Sequence, residues 1–433
     1  MNVFPTLHIT KPINLITGRM RIVYVIFIAL LFIGVDATAN NKKARSKKIA
    51  GSFHRVIGGK SYDAAKKVIK LSDGGYLVAG RSASYGMGDT DMLLVKLNAQ
   101  GETVWQKTFG EDETDEANDL IETKDGNYLV VGHSDSYGYS PDITDMWAIK
   151  IDKEGEEIWN QTYGGEDNID GANAVLETDD GFILVGTSMP TTDDAASDMF
   201  VVRIDKEGEK MWEKKYGESG HEQGVDIITN GDGFTIIGNT EGVGYEEGFS
   251  KGRWDMMTIH ISGDGTMEWK NCYGGKNNEM GNTIIATSDG GYLLGGYTYS
   301  FAVASLDAWI VKIDKMGKQI WAKNFGGLST DEAFGLVETS DGNIVMCGYT
   351  DVFEANEDYE NISKEKLNIF LVKMNSSGDK VWERSIGGEH NQKAFDVIEA
   401  TDGGLLVVGT TDAKVVSGVD MLVMKFDAAG MFK

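Results

Sequence analysis

Apolar and polar residues alternate along this chain in short runs, and the runs recur in sets of four with a period near fifty residues. The second set shows the unit. Ala117–Thr123 (ANDLIET) leads through Lys124-Asp125-Gly126-Asn127 into Tyr128–Gly132 (YLVVG), which predicts a tight hairpin because Asp-Gly accepts positive φ at little cost. After a variable stretch come Asp145–Ile151 (DMWAIKI), the turn Asp152-Lys153-Glu154-Gly155 and a last run, Glu156–Tyr163. That run alternates, so Trp159, Gln161 and Tyr163 share one face of a pleated strand. Helical periodicity appears over no useful length. Asp-Gly pairs at Asp73, Asp125, Asp180, Asp232, Asp289, Asp341 and Asp402 mark seven such units, 52, 55, 52, 57, 52 and 61 residues apart. Four short strands per unit of this length predict a β-propeller blade.

The fourth run carries a Trp followed four residues later by Phe, Tyr or Ile: Trp105, Trp159, Trp212, Trp269, Trp321 and Trp382. The seventh unit has only three runs, Ala394–Ala400, Leu405–Gly409 and Asp420–Phe426, and then the chain ends in a turn. The missing run stands at the other end of the sequence. In Gly51–Gly59 (GSFHRVIGG), Phe53 takes the Trp position and Ile57 the aromatic one. The expected fold is all-β, a seven-bladed β-propeller of four-stranded blades over residues 50–433, with the last blade closed by the N-terminal strand. Closure of this kind removes the exposed edge that an open array would leave.

In such blades the first–second and third–fourth connections share one face of the disc. Here these are short and nearly constant. The second–third loops, on the opposite face, vary; the two longest carry Tyr245 and Phe249, and Phe353 and Tyr359. Ligands are expected on this face, since variable loops on a rigid scaffold usually carry binding. One slot there, directly after the glycine that ends the second strand, reads Arg81, His133, Thr187, Asn239, Tyr297, Tyr349 and Thr410. Arg81, His133 and Tyr349 would suit β-elimination on an acidic polysaccharide, with Arg neutralising a uronate and His and Tyr moving protons. Tyr297 and Asn239 would serve as binding groups, while His221 and His390, in blade-to-blade connections, could join such a site, although plain surface residues are the simpler reading. Acids also recur before the first strand, at Asp63, Asp115, Asp170, Glu222, Glu279 and Asp331, with Gln392 in the seventh unit. A ring of acids could hold a cation such as Ca²⁺. Acceptors for loop N–H groups are the simpler reading of a feature repeated in nearly every blade.

The first 39 residues look like an export signal: Arg19 and Arg21, the apolar run Ile22–Val35, then Ala37-Thr38-Ala39. Fourteen apolar residues fall short of the roughly 20 needed to span a bilayer. Residues 40–49 follow as a basic lead-in, with Lys42, Lys43, Arg45, Lys47 and Lys48. A secreted, periplasmic or cell-surface location is expected, with no lasting membrane span. Cleavage would remove three basic residues and one acidic, taking the net charge from −26 to −28. Such a surface repels nucleic acid at long range. Cys272 and Cys347 fall in different units and are expected to be buried free thiols.

Gly155-Glu156-Glu157-Ile158-Trp159 resembles the Trp-containing repeats of quinoprotein dehydrogenases and of outer-membrane assembly propellers, although Asp152 stands one residue closer to the glycine than in their pattern. The match to DGG-type repeats of uncharacterised secreted bacterial and archaeal propellers is closer and covers the whole chain expected after cleavage. Both resemblances imply the fold. Quinoproteins that hold PQQ typically have eight blades and often a vicinal cysteine pair, so PQQ is not expected here. No nucleotide loop, zinc spacing or Ser-His-Asp signature is present. Two functions are left: a scaffold binding a glycan or protein on its variable face, and a polysaccharide lyase or hydrolase using the Arg81/His133/Tyr349 rim.

Overall fold

The computed structural model describes residues 51–432, apart from 139–142, 193–195, 232, 243–247, 304, 329, 352–365 and 414–417. The described strands form seven antiparallel four-stranded sheets and no helix. Blades 1 to 6 span residues 63–109, 115–163, 168–216, 222–273, 279–325 and 331–386, each with its strands in chain order. Blade 7 takes Gln392–Glu399, Leu405–Thr411 and Asp420–Phe426 from the C-terminal end and Phe53–Ile57 from the N-terminal end. The closing strand pairs antiparallel along its whole length, from Phe53 opposite Lys425 to Ile57 opposite Met421. This is the seven-bladed β-propeller that the repeat pattern implies, closed as the strand count requires.

Large rings fill the seams between blades. Trp105 lies against Gly155 of the next blade, Trp159 against Gly208, Trp212 against Gly265, Trp269 against Gly317 and Trp321 against Gly378; Trp382 lies against Gly430. Glycine at these turns holds positive φ and leaves room for the indole. Trp105 and Trp159 also donate from Nε1 to the Lys153 and Lys206 carbonyls, both at 3.2 Å. At the closing seam Phe53 lies against Gly101, but a phenyl ring has no N–H and is smaller. A cavity of about 550 Å³ remains there, lined by Phe53, Ala99, Gln100 and Glu102 among others. Phe53→Trp is therefore expected to stabilise the fold by about 1 kcal/mol, chiefly through a new hydrogen bond to the Ala99 carbonyl. A raised urea midpoint at unchanged slope would show it.

The Asp-Gly turns do more than supply positive φ. Their aspartates pair with a nearly buried cation from the third strand: Lys96 with Asp73, Lys150 with Asp125, Arg203 with Asp180, Lys312 with Asp289, Lys373 with Asp341 and Lys425 with Asp402. The Lys312 bond holds Asp289 down at about 2. In blade 4 the third-strand position is His260, stacked on Trp269.

First strands of successive blades pack on one another right round the axis. Each carries one bulge, at Lys66, Asn118, Asn173, Val225, Asn282, Phe334 and Phe395. A bulge re-aims a side chain, and all seven of these residues line an axial channel of about 350 Å³. One expectation needs correcting. Cys347 is buried, but Cys272 is only half-buried because it lies on the outer, fourth strand of blade 4.

Candidate functional site

The recurrent acids are buried at the start of the first strands and face inward onto their own loops. Asp63 accepts from the Ser82 hydroxyl, from Ser84 Oγ at 2.6 Å and from Gly59 N at 2.9 Å. Asp115 repeats the pattern with Ser134, Ser136 and Glu111 N. Glu222 accepts from Thr240 Oγ1 and Glu218 N, Glu279 from Thr298 Oγ1 and Gly275 N, and Asp331 from Gly327 N. Asp170 is as deeply buried as these. Burial pushes Asp331 up to about 6. Each acid thus clasps the connection that enters its blade. Among the described residues no group of three or more His, Cys, Asp or Glu is placed to hold a metal ion.

The variable slot follows a glycine for a steric reason. A Cβ on Gly80, Gly132, Gly186, Gly238, Gly296, Gly348 or Gly409 would sit 1.7–2.1 Å from a first-strand carbonyl oxygen. The slot residue lies opposite the first-strand residue that follows the recurrent acid, and groups of its own or the next blade engage several of them. Arg81 forms an ion pair with Glu116 and lies 4.7 Å from the centre of the Tyr62 ring. Tyr349 donates its hydroxyl to Glu332, and burial with that carboxylate pushes the phenol far above its usual range. Lys393 sits over the Tyr349 ring at 4.2 Å. Asn239 is buried and bonded both ways to the next blade, donating to Gly281 O at 3.2 Å and accepting from Gly281 N at 2.7 Å. Tyr297 meets Tyr299 edge-on, and burial pushes it up to about 12. Among the described residues no hydrogen bond, ion pair or ring contact joins any two of Arg81, His133 and Tyr349. Phe249 packs against the core between blades 3 and 4. Tyr245, Phe353 and Tyr359 lie outside the described residues.

His133 has different company. It lines a cleft of about 770 Å³ on the variable face, over blades 2 to 4, together with Asp135, Thr187, His221, Gln223, Glu241, Arg253 and Trp254. His221, one of the two blade-to-blade histidines, is part of this wall. Its Nδ1 accepts from Ser197 N at 3.0 Å, which leaves the ring proton on Nε2, and its ring stacks on Trp254 with centroids 6.2 Å apart. Arg253 is 81% exposed and reaches Glu241 at 3.8 Å. His390 stays outside, near Asp412. The cleft shares Asn173 and Gln223 with the axial channel, so the two cavities are neighbours.

At the bottom of the channel Lys67 faces three aspartates. Asp119 lies 3.6 Å from its Nζ, and Asp396, with Asp119 and Asp226, holds the ammonium well above its ordinary range. The carboxylates double as fasteners: Asp396 accepts from Val68 N, Asp119 from Val175 N and Asp226 from Ile284 N, each in the next blade. Burial still outweighs Lys67 and pushes Asp119 up to about 6.

Fold and site together define a seven-bladed propeller with an off-centre cleft at one mouth of its channel. No protein-family model matches the chain, and no curated protein matches it in sequence. Among solved structures it is similar to the β-propeller domain of the Trilobed protease from Pyrococcus furiosus, at 12% identity and TM-score 0.45, covering 86% of this chain and 96% of that one. It is also similar to a protein of unknown function from Bacteroides caccae, at 14% identity and TM-score 0.42 over 77% of this chain and 93% of that one. The α-L-arabinofuranosidase Arb93A of Fusarium graminearum gives 11% identity and TM-score 0.45 over 72% and 93%.

Proposed function

We propose that this chain is a secreted, periplasmic or cell-surface binding scaffold that holds a glycan or protein ligand on its variable-loop face. The cleft over blades 2 to 4 carries the reading, because it is a concave, mixed polar and aromatic site on an otherwise repetitive disc. The lyase reading has less support, since Arg81 and Tyr349 are each engaged by a carboxylate of a neighbouring strand. The test is binding of the purified chain to glycan arrays and to native cell-surface extracts, beside Trp254→Ala and the opposite-face control Met316→Ala. Loss of binding in the first variant alone supports the proposal. Empty arrays together with empty extracts would sink it, and release of a shortened or unsaturated product would make the protein an enzyme.

A further inference from the structure

The position that pairs with the slot holds Ala64, Glu116, Gly171, Gln223, Met280, Glu332 and Lys393 in blades 1 to 7. Blade 3 alone has a glycine here, and backbone geometry does not demand it. Its φ is not in the positive range, and a Cβ built on it would meet only the Cβ of His133, at an ordinary 3.7 Å. Its slot partner Thr187 is also small. Blade 3 is thus the one blade whose pair has no large side chain at either position, and both of its residues line the cleft.

We infer that Gly171 and Thr187 open this cleft to seat an uncharged sugar ring, an inference that rests on the proposed binding function. The walls have two characters. Ile169 and Met189, 38% and 37% exposed, and half-buried Trp254 offer an apolar surface of the kind that the C–H face of a sugar covers. Around them His133, Thr187 and Gln223 make no side-chain hydrogen bond among the described residues, and His221 keeps Nε2–H spare. Amide, imidazole and hydroxyl together supply donors and acceptors, which matches hydroxyl groups that both give and receive hydrogen bonds. The charges argue against an anion. The one arginine of the wall is answered by Glu241, and Asp135 stands nearby holding the Thr144 hydroxyl. The volume has room for a short oligosaccharide.

Calorimetric titration of the chain with neutral gluco-, manno-, galacto- and xylo-oligosaccharides, beside matched uronate and amino-sugar series, tests this. A neutral series is expected to bind, with Gly171→Gln weakening it at least about tenfold while the thermal midpoint stays within about 2 °C. Gln is the residue of blade 4 at this position, and Thr187→Gln gives a second blocking variant should the first fail to fold. Arg253→Ala is expected to change the affinity by less than about threefold. Preference for uronates with loss in Arg253→Ala, or preference for amino sugars, would overturn the ligand class. Neutral sugars binding both blocked variants as tightly as the parent would overturn the cleft and leave binding elsewhere on the face intact. No sugar bound, with a protein captured on the same face, would overturn this inference and leave the proposed function standing.

Discussion

Deletion of Ser52–Ile57 is expected to lower stability by more than the roughly 3–5 kcal/mol that a lone Phe-to-Ala change costs in a core. Phe53 is buried among Leu406, Val408, Met421 and Val423 of blade 7 and Val68, Tyr76, Val78 and Leu93 of blade 1. The strand therefore packs against two blades at once. Its loss also removes Arg55, which donates from Nε to Gly101 O at 2.6 Å and so ties the seam to the third–fourth turn of blade 1. Asp420–Phe426 would become an unpaired edge, open to aggregation as well as fraying. Urea unfolding and limited proteolysis would report both effects, with early cutting confined to blade 7. An unchanged midpoint would mean that the ring is held without this strand.

Lys67→Met is expected to cost about 3–5 kcal/mol at pH 7.5, because it leaves buried carboxylates without their counter-charge. Most of that loss should return on mild acidification. Asp119 titrates at about 6 in the folded chain against 3.8 for an ordinary aspartate, so folding takes up a proton. The stability linked to that proton is full below about pH 4 and is lost as pH rises through 6, by about 3 kcal/mol in all. Burial raises Asp396 as well. Without Lys67 both groups shift further up, so the gap between variant and parent narrows between pH 7.5 and 5. Asp289, held near 2, begins to lose its contribution only below that window. Thermal midpoints of both proteins across this range would show the convergence. A gap independent of pH would show that the carboxylates do not respond to the lysine.

The frame was legible in the sequence because its determinants repeat. Trp on the fourth strand, Asp-Gly at the first hairpin and an acid at the first strand each perform one steric or hydrogen-bonding task per blade, and period alone reveals them. The channel charges were not legible. Asp119 and Asp396 sit inside apolar runs, and only the bulge that shifts the register brings them to the axis beside Lys67. The slot residues were found, but not their partners: Glu116, Glu332 and Gly281 decide that Arg81, Tyr349 and Asn239 are occupied. Gly171 shows the hardest case. Its signal is a missing side chain, visible only when the seven units are aligned and the pairing register is known.

That register has a consequence for how such a protein diversifies. Residues 64, 116, 171, 223, 280, 332 and 393 face 81, 133, 187, 239, 297, 349 and 410 across seven equivalent antiparallel pairs. The glycine beside each pair fixes the backbone, so the pairs can change while the frame beneath them does not. The mouth is in effect a seven-letter address in which each letter is two residues. Rewriting blade 3 closes one reading, and moving its Gly–Thr pair to another blade would open a second at a new point on the rim.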